Sequence, residues 1–135
     1  MTTPSIEYKI NTPLRAEEVS DVFKASGIKR PADDLARIQM MIDHANLQLT
    51  AWVGDTLVGI ARAVTDFSYC CYLSDLAVSK TYQKRGIGTE LVKRTRQHLG
   101  EQVSLLLLSA PEAMEYYPRI GFKRIENAFL IPRVK

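Results

Sequence analysis

Residues 73–89 read LSDLAVSKTYQKRGIGT, and they join the end of an apolar strand to the start of a helix. The strand pattern ends near Val78, and the helical pattern begins near Gly86 or Ile87. Glycine lets the backbone approach a ligand closely, and the first amides of a helix have no acceptor inside it. A helix N-terminus with such a turn favours an anion, most often phosphate. The stretch therefore predicts a phosphate-binding turn, with a charged turn whose glycines serve only packing as the alternative.

Two familiar nucleotide-binding motifs do not fit this turn. A P-loop requires GxxxxGK[ST], but Thr89 and Glu90 follow Gly88 where the motif has lysine and a hydroxyl residue. A dinucleotide fingerprint requires a third glycine or alanine, and Leu91 occupies that position. A small phosphate- or nucleotide-binding protein would therefore use a turn of another type, and it remains one of the alternatives.

Composition limits what the rest of the chain can be. Its 135 residues are enough for one domain, 1–135, with a core of its own. With 46% hydrophobic and 24% charged residues, the chain is globular, which excludes disorder, collagen and a coiled-coil rod. A net charge of +3 gives little reason to expect nucleic-acid binding. The apolar runs, such as 105–108, are far shorter than the ~20 residues of a membrane span, so no membrane partner is expected.

The chain has no metal-ligand pattern, because its histidines, His44 and His98, are isolated and no CxxC occurs. Cys70 and Cys71 are adjacent, and neighbouring strand residues point to opposite faces, so they are badly placed to bridge each other. Unpaired thiols and an N-terminus without a signal-peptide pattern predict the reducing cytosol. The expected role of the two cysteines is burial, with a sheet-edge or two-fold contact in a homodimer as the alternative.

Hydrophobic periodicity predicts the element order β-α-α-β-β-β-α-β-α-β. The second helix is expected to begin at Pro31, and Gly54-Asp55 is a hairpin signal between two strands. An antiparallel meander followed by a βαβ crossover predicts a mixed, twisted α/β sheet with helices on both faces. The predicted strands are 5–10, 47–53, 56–64, 68–78, a doubly buried 103–108, and one or two in 122–131, and the helices are 14–25, 31–46, 87–99 and 113–120.

Two motifs in these elements resemble the GNAT superfamily, the GCN5-related N-acetyltransferases. Gln83, Gly86 and Gly88 fill the pattern Gln/Arg-x-x-Gly-x-Gly after a strand that ends in Leu-Ala-Val. Residues 116–122, YYPRIGF, are similar to the Phe-Tyr-x-x-x-Gly-Phe signature of the short helix after the next strand. The element order also matches along essentially the whole chain. The resemblance implies the acyl-CoA N-acyltransferase fold, in which two central parallel strands splay apart.

The resemblance also implies the cofactor and its site. Acetyl-CoA is expected in the V between the splayed strands, as acyl donor and without a metal. The backbone of Leu76, Ala77 and Val78 is expected to pair with the pantetheine arm, and a strand-end amide near Ala77 to hold the acetyl oxygen as a small oxyanion hole. Beyond Gln83, the backbone amides that are expected to hold the pyrophosphate belong to Lys84, Arg85, Gly86, Ile87, Gly88 and Thr89.

Tyr117 is the candidate general acid, because the tyrosine before x-x-x-Gly-Phe protonates the CoA sulfur in the resemblance. A tyrosine pKa of about 10 is close enough to that of a thiol for this transfer. Tyr116 takes the position usually filled by phenylalanine and is expected in the core. Residues 105–108 hold no glutamate to act as base, which leaves Asp75 as the best carboxylate. A water chain is the alternative base, and a structural carboxylate paired with a basic residue is the alternative role of Asp75.

The implied function is acetyl transfer from acetyl-CoA to the primary amine of a small-molecule or amino-acid-like acceptor, by direct attack in a ternary complex. A non-catalytic acyl-CoA-binding sensor or regulatory module and an acetyltransferase of protein or peptide amines are the alternatives. The basic loop 27–31, near the expected acceptor mouth, indicates an anionic group on the acceptor unless it is simply solvated. Arg62 is placed either to meet an acceptor carboxylate or to pair with Asp75 or Asp66.

Overall fold

The computed structural model describes residues 5–135, which form five strands, four helices and two short 3-10 turns. In chain order they are β1 (Glu7–Ile10), α1 (Ala16–Ser26), α2 (Leu35–His44), β2 (Leu47–Val53), β3 (Thr56–Thr65), β4 (Cys70–Val78), the turn Lys80–Tyr82, α3 (Ile87–Leu99), β5 (Ser104–Leu106), the turn Pro111–Ala113 and α4 (Tyr116–Arg119). The predicted order of elements is therefore confirmed from β1 to α4.

The five strands make one sheet in the order β1-β2-β3-β4-β5. The first three pairings are antiparallel, and β4 and β5 are parallel, as expected for a meander followed by a crossover. The hairpin predicted at Gly54-Asp55 is confirmed, because Val53 pairs with Thr56 across it. The mixed α/β sheet that the sequence predicts is thus present.

Helices cover both faces of the sheet. Helices α1 and α2 pack on one face around Phe23, Ile38 and Ile60, which are all buried. Helix α3 packs on the other face, where Leu91 and Val92 meet the strands. Each helix contributes one apolar stripe, which is the pattern of helices that have one face in a core.

Helix α2 begins four residues later than the sequence predicts. Asp34 is the N-cap, and its carboxylate accepts a hydrogen bond of 3.1 Å from the Arg37 amide. Pro31 instead lies in the preceding turn, where its carbonyl accepts from the Asp34 amide at 3.0 Å. The prediction of a start at Pro31 was wrong because a capping aspartate fixes the first turn more strongly than a compatible proline.

Strand β5 differs from the strand that its sequence predicts. It is paired only over Ser104–Leu106, and Leu106 and Leu108 are 43% and 51% exposed. The prediction of a strand buried on both faces over 103–108 was wrong, because β5 lies at the edge of the sheet and helices cover only one of its faces. Leu105 and Leu107 on that face pack against the α3 core.

The predicted strand or strands in 122–131 are absent, since within residues 5–135 the last strand ends at Leu106. Phe129 is 99% exposed and Ile131 is 96% exposed, so these side chains contact almost nothing. A strand forms only when a neighbour accepts its hydrogen bonds, and no strand of the described chain pairs with this segment. The β pattern there thus has no partner strand among residues 5–135.

The described helices include none that is long and apolar enough to cross a membrane. Both cysteines are free: Cys70 is exposed and Cys71 is buried among the α3-side core residues. The expected burial therefore holds for Cys71 only.

Replacing Leu91 by alanine tests the α3 side of the core. Leu91 is fully buried and lies so close to Gly59 of β3 that a Cβ on that glycine would meet its Cδ1 at 3.3 Å. We expect Leu91→Ala to lower the free energy of unfolding by about 2–5 kcal/mol in urea denaturation. Met40→Ala, at a 60% exposed site on α2, is the control and should change it by less than about 0.5 kcal/mol. A similar loss in both variants would contradict this packing.

Candidate functional site

The two parallel strands part from each other early. Cys70, Cys71 and Tyr72 pair with Ser104, Leu105 and Leu106, and beyond these pairs β4 runs on to Val78 with β3 as its only neighbouring strand within the described part of the chain. The backbone of the second half of β4 is thus left without a partner on its β5 side. This is the V-shaped opening that the fold class predicts.

A cavity of about 470 Å³ lies at this opening. It is bounded by the end of β4, the turn into α3 and the short helix α4. Its volume falls within the range of small-molecule sites. Its lining residues are Leu76, Val78, Tyr82, Gln83, Lys84, Gly86, Ile87, Gly88, Thr89, Ala113, Tyr116 and Tyr117.

The turn before α3 has the geometry of an anion site. Lys84 and Gly86 both have left-handed backbone angles, with φ of 65° and 80°, so neighbouring amides turn toward one concave side. The N-cap residue, Gly86, supplies no side-chain cap, and the Glu90 amide is the donor that bonds its carbonyl, at 2.9 Å. The amides of Ile87, Gly88 and Thr89 precede that bond and have no acceptor inside the helix. They add to the positive end of the α3 dipole.

Gln83 holds this turn against the end of β4. Its side-chain amide donates to the Val78 carbonyl at 2.8 Å and lies 3.5 Å from the Ser26 carbonyl at the end of α1. The side chain thus fixes the distance between the strand end and the turn. This gives a physical reason for a glutamine at a position that the sequence alone identifies only by its motif.

Most of the predicted cofactor-binding residues come together around the cavity. Ala77 and Arg85 do not line it with their side chains. The Ala77 side chain is buried in the α1–α2 core, and the Arg85 guanidinium lies over the Tyr82 ring, 5.4 Å from its centre. For Ala77 only its backbone remains available to the opening. Three lining residues, Tyr82, Ala113 and Tyr116, were not predicted for the site, and the positions of Tyr82 and Ala113 carry no motif that indicates it.

Tyr116 is not the core residue that its position suggests. Its hydroxyl lies 3.2 Å from the Thr89 hydroxyl, at the first turn of α3. A Cβ on Gly88 would come within 2.9 Å of the same hydroxyl, so a larger residue there would have to displace it. The expectation of a buried ring was wrong, because tyrosine in place of phenylalanine carries a hydroxyl that bonds at the cavity wall. The tyrosine at this position, where the family signature has phenylalanine, was the feature of the sequence that could have indicated its place at the cavity.

Tyr117 lies in the cavity wall, half-buried between two other rings. Its ring makes edge contacts with Tyr116 and Phe122, with centroids 5.2 and 5.5 Å apart. Burial raises the pKa of the Tyr117 hydroxyl, and Tyr116 adds to the rise, while the Arg30 guanidinium acts in the opposite direction. The group therefore stays protonated at neutral pH and is available as a proton donor.

A bulge at Ser74 decides which way Asp75 points. Arg62 pairs with Asp75 and Ala63 with Leu73, so Ser74 is an extra residue in β4. Leu73, before the bulge, and Leu76, after it, both face the α3 core. Asp75 directly precedes Leu76 in the strand, so its side chain points to the opposite face, toward α1 and α2. An inserted residue shifts the alternation of side chains by one.

On that side Asp75 is held between two arginines. One carboxylate oxygen accepts from the Arg30 Nε at 2.5 Å, and the other accepts from the Arg62 Nε. The Nη2 group of each arginine bonds to Ser74, with Arg30 donating to its carbonyl at 2.7 Å and Arg62 to its hydroxyl at 2.9 Å. The Asp75 side chain has no exposed surface. The cluster carries one net positive charge.

This network favours the structural role of Asp75 over the role of a base. Both of its oxygens are occupied by guanidiniums, and no part of it reaches the cavity surface. Of the partners expected for Arg62, Asp75 is the one found. In the loop 27–31, Arg30 is anchored to β4 with 23% of its side chain exposed, whereas Lys29 is exposed. The loop is thus anchored to the sheet and not merely a solvated segment.

Removing the central carboxylate should be costly. We expect Asp75→Ala to lower the free energy of unfolding by about 3–5 kcal/mol, because it leaves two partly or fully buried guanidiniums without a counter-charge. Lys29→Ala, one residue from the anchored Arg30, is the matched control and should stay within about 0.5 kcal/mol of the parent in urea denaturation. Equal stability of the two variants would contradict the network.

Comparison with known proteins agrees with this geometry. The sequence profile described as acetyltransferase (GNAT) domain matches residues 15–130. GCN5-related N-acetyltransferase 1, chloroplastic, from Arabidopsis thaliana is 26% identical in an alignment that covers 81% of this chain and 56% of that protein. A Staphylococcus aureus protein of unknown function has a TM-score of 0.82 at 19% identity, over 97% of this chain and 99% of that one. The aminoglycoside N-acetyltransferase AAC(6')-Iy, solved with CoA, has a TM-score of 0.73 at 16% identity, over 99% and 98%.

The two structural matches show the fold, and the sequence profile covers most of the chain. The chain spans little more than half the length of its Arabidopsis relative. Both motifs that resemble the GNAT superfamily, around Gly86 and around Tyr117, lie inside the matched range. The chain therefore belongs to the GNAT acetyltransferase family.

Proposed function

We propose that this chain is an acetyl-CoA-dependent N-acetyltransferase that acts on the primary amine of a small-molecule or amino-acid-like acceptor. The observation that supports it best is one cavity that combines three elements. These are the unpaired half of β4, the left-handed turn with free amides before α3, and the half-buried hydroxyl of Tyr117. The family and the CoA bound to AAC(6')-Iy support acetyl-CoA as donor.

The chain's backbone would do most of the cofactor binding. The amides from Lys84 to Thr89 would hold the pyrophosphate, since they face outward from a helix N-terminus. Lys84 and Arg85 are exposed at this turn and add positive charge near the phosphates. The unpaired backbone from Leu76 to Val78 would pair with the amides of the pantetheine arm, as one more strand would.

The transfer itself needs two groups of the protein. The neutral acceptor amine attacks the thioester carbonyl, and a backbone amide near Ala77 would stabilise the oxyanion that forms. When the C–S bond breaks, Tyr117 would give its proton to the sulfur and later recover one from solvent. Its raised pKa keeps that proton on the hydroxyl until the pH exceeds the ordinary tyrosine value of 10.0.

Water would take the proton of the acceptor amine. Asp75 was the sequence-based candidate for this step, but its burial between Arg30 and Arg62 leaves no path to an amine in the cavity. We therefore assign Asp75 a positioning role: it fixes the loop 27–31 to β4. The base is then solvent, which was the alternative that the sequence left open.

The net positive charge of the cluster formed by Arg30, Arg62 and Asp75 favours an acceptor that carries an anionic group beside its amine. Arg30 and Arg62 outnumber Asp75, and Arg30 is the partly exposed member of the cluster. Arg30 also lies close enough to Tyr117 to oppose part of the rise in the pKa of that hydroxyl, so the surplus charge is near the reacting atoms. A carboxylate on the acceptor would be attracted to this side of the cavity.

A screen of amines with acetyl-CoA tests the proposal. Free thiol release should appear with at least one amino acid or related amine and should saturate with both substrates. Binding of acetyl-CoA by titration calorimetry without thiol release from any amine would favour the non-catalytic module instead. Displacement of acetyl-CoA by ATP at similar concentration would favour a nucleotide-binding protein. The cytosol remains the predicted compartment, although the Arabidopsis relative is named as chloroplastic.

Tyr117→Phe separates catalysis from binding. We expect kcat to fall about 100-fold or more, because the leaving thiolate loses its proton donor. The dissociation constant for CoA should stay within about twofold, since the ring and its contacts with Phe122 are kept. Tyr69→Phe, at a 79% exposed residue just before β4, is the control and should leave kcat unchanged. An unchanged kcat in Tyr117→Phe would remove this residue from the acid role.

A further inference from the structure

Two side-chain hydroxyls meet at the start of α3. The Tyr116 hydroxyl, on α4, lies 3.2 Å from the Thr89 hydroxyl, and both residues line the cavity. Thr89 is in the first turn of α3, so its backbone amide is one of those that have no acceptor inside the helix. The hydroxyl pair, as we call the Tyr116 and Thr89 hydroxyls, therefore lies beside the free amides of the turn.

The hydroxyl pair has more protons than its single hydrogen bond uses. Each hydroxyl carries one proton and can also accept, so the bond between the two leaves the proton of one of them unused. Within residues 5–135, neither hydroxyl has a hydrogen-bond partner other than its neighbour in the pair. The second proton is therefore available to a ligand that accepts hydrogen bonds, and a hydroxyl rotates to aim it.

Gly88 leaves room for the Tyr116 hydroxyl directly beside the backbone of this turn. A Cβ on Gly88 would be 2.9 Å from the hydroxyl oxygen and 3.8 Å from Cζ of the same ring. The tip of the ring is therefore close to any anion that the neighbouring amides bind. Phenylalanine, which the family signature has at this position, would place an apolar ring edge there and no donor. The tyrosine thus adds a neutral donor to a site that is built from backbone amides.

We propose that the Tyr116 hydroxyl donates a hydrogen bond to a pyrophosphate oxygen of bound CoA and closes the phosphate site on its α4 side. This inference rests on the proposed function, because it takes CoA as the ligand of the turn. Thr89 would then donate to the Tyr116 oxygen, so that both protons of the hydroxyl pair are used. A hydrogen bond from a hydroxyl to an anionic oxygen is roughly twice as strong as one between neutral groups.

The same hydrogen bonds would hold α4 against α3. Among residues 5–135, the contact between Tyr116 and Thr89 is the one hydrogen bond that joins the two helices. Tyr117, the proposed proton donor to the sulfur, is the next residue of α4, and its ring meets the Tyr116 ring edge-on at 5.2 Å. A phosphate bound by Tyr116 would therefore fix the short helix that carries Tyr117, and it would link cofactor binding to the placement of the acid.

Titration of Tyr116→Phe with two probes, CoA and pantetheine, tests the inference, because pantetheine lacks the phosphates. We expect the dissociation constant for CoA to rise about tenfold or more, since a hydrogen bond to a charged group is lost. The dissociation constant for pantetheine should stay within about twofold, because the ring and its contact with Tyr117 are kept. Tyr69→Phe removes a tyrosine hydroxyl at a 79% exposed site and is the matched control, which should bind both probes as the parent does.

Phosphorus NMR at saturating CoA then identifies the group that Tyr116 contacts. The pyrophosphate signals of bound CoA should differ between the parent and Tyr116→Phe, and the signal of the 3′-phosphate should not. Equal weakening of CoA and pantetheine, with unchanged phosphorus signals, would mean that the hydroxyl only holds α4, which overturns the inference. A parent chain that does not bind CoA would overturn the proposed function as well, whereas CoA binding that Tyr116→Phe does not weaken would contradict this inference alone.

Discussion

Strand β4 loses its parallel neighbour after three residue pairs, and the candidate site depends on this parting. Had β5 continued alongside, the amides and carbonyls from Leu73 to Val78 would be used within the sheet. Because β5 ends its pairing at Leu106, those of these groups that bond neither β3 nor a side chain face an opening. The turn into α3 and the helix α4 then close the opening at its end, which places free helix amides and Tyr117 around the same space.

The opposite face of the same strand carries a different constraint. The bulge at Ser74 shifts the side-chain alternation, so that Asp75 meets Arg30 and Arg62 instead of the apolar α3 core. The salt-bridged cluster fastens the loop between α1 and α2 to the strand whose other edge forms the cavity. A single stretch of β4 thus offers backbone groups to the opening and anchors the loop 27–31. The net positive charge of this cluster is the physical basis of the proposed preference for an anionic acceptor.

Local patterns were enough to predict the order of elements, the hairpin at Gly54-Asp55 and the turn before α3, because each depends on neighbouring residues. Apart from the start of α2, which a local cap at Asp34 determines, the errors concern features that depend on distant partners. The strand pattern in 122–131 finds no neighbour in the single chain, and the edge position of β5 leaves half of its leucines exposed. The ion pairs of Asp75 follow from a bulge that no sequence motif indicates. Tyr116 was misplaced because a hydroxyl, not its ring, determines where it lies.

Amide chemical shifts in a titration with acetyl-CoA test the central claim most directly. The largest changes should fall on the backbone amides from Lys84 to Thr89 and from Leu76 to Val78, where the turn and the unpaired strand meet the cavity. Amides of α2, on the face of the sheet opposite α3, and of β1, at the edge opposite β5, should change little. Saturable binding with its largest changes outside the turn and the end of β4, or no binding at all, would contradict the claim that the parting of β4 and β5 forms the cofactor site.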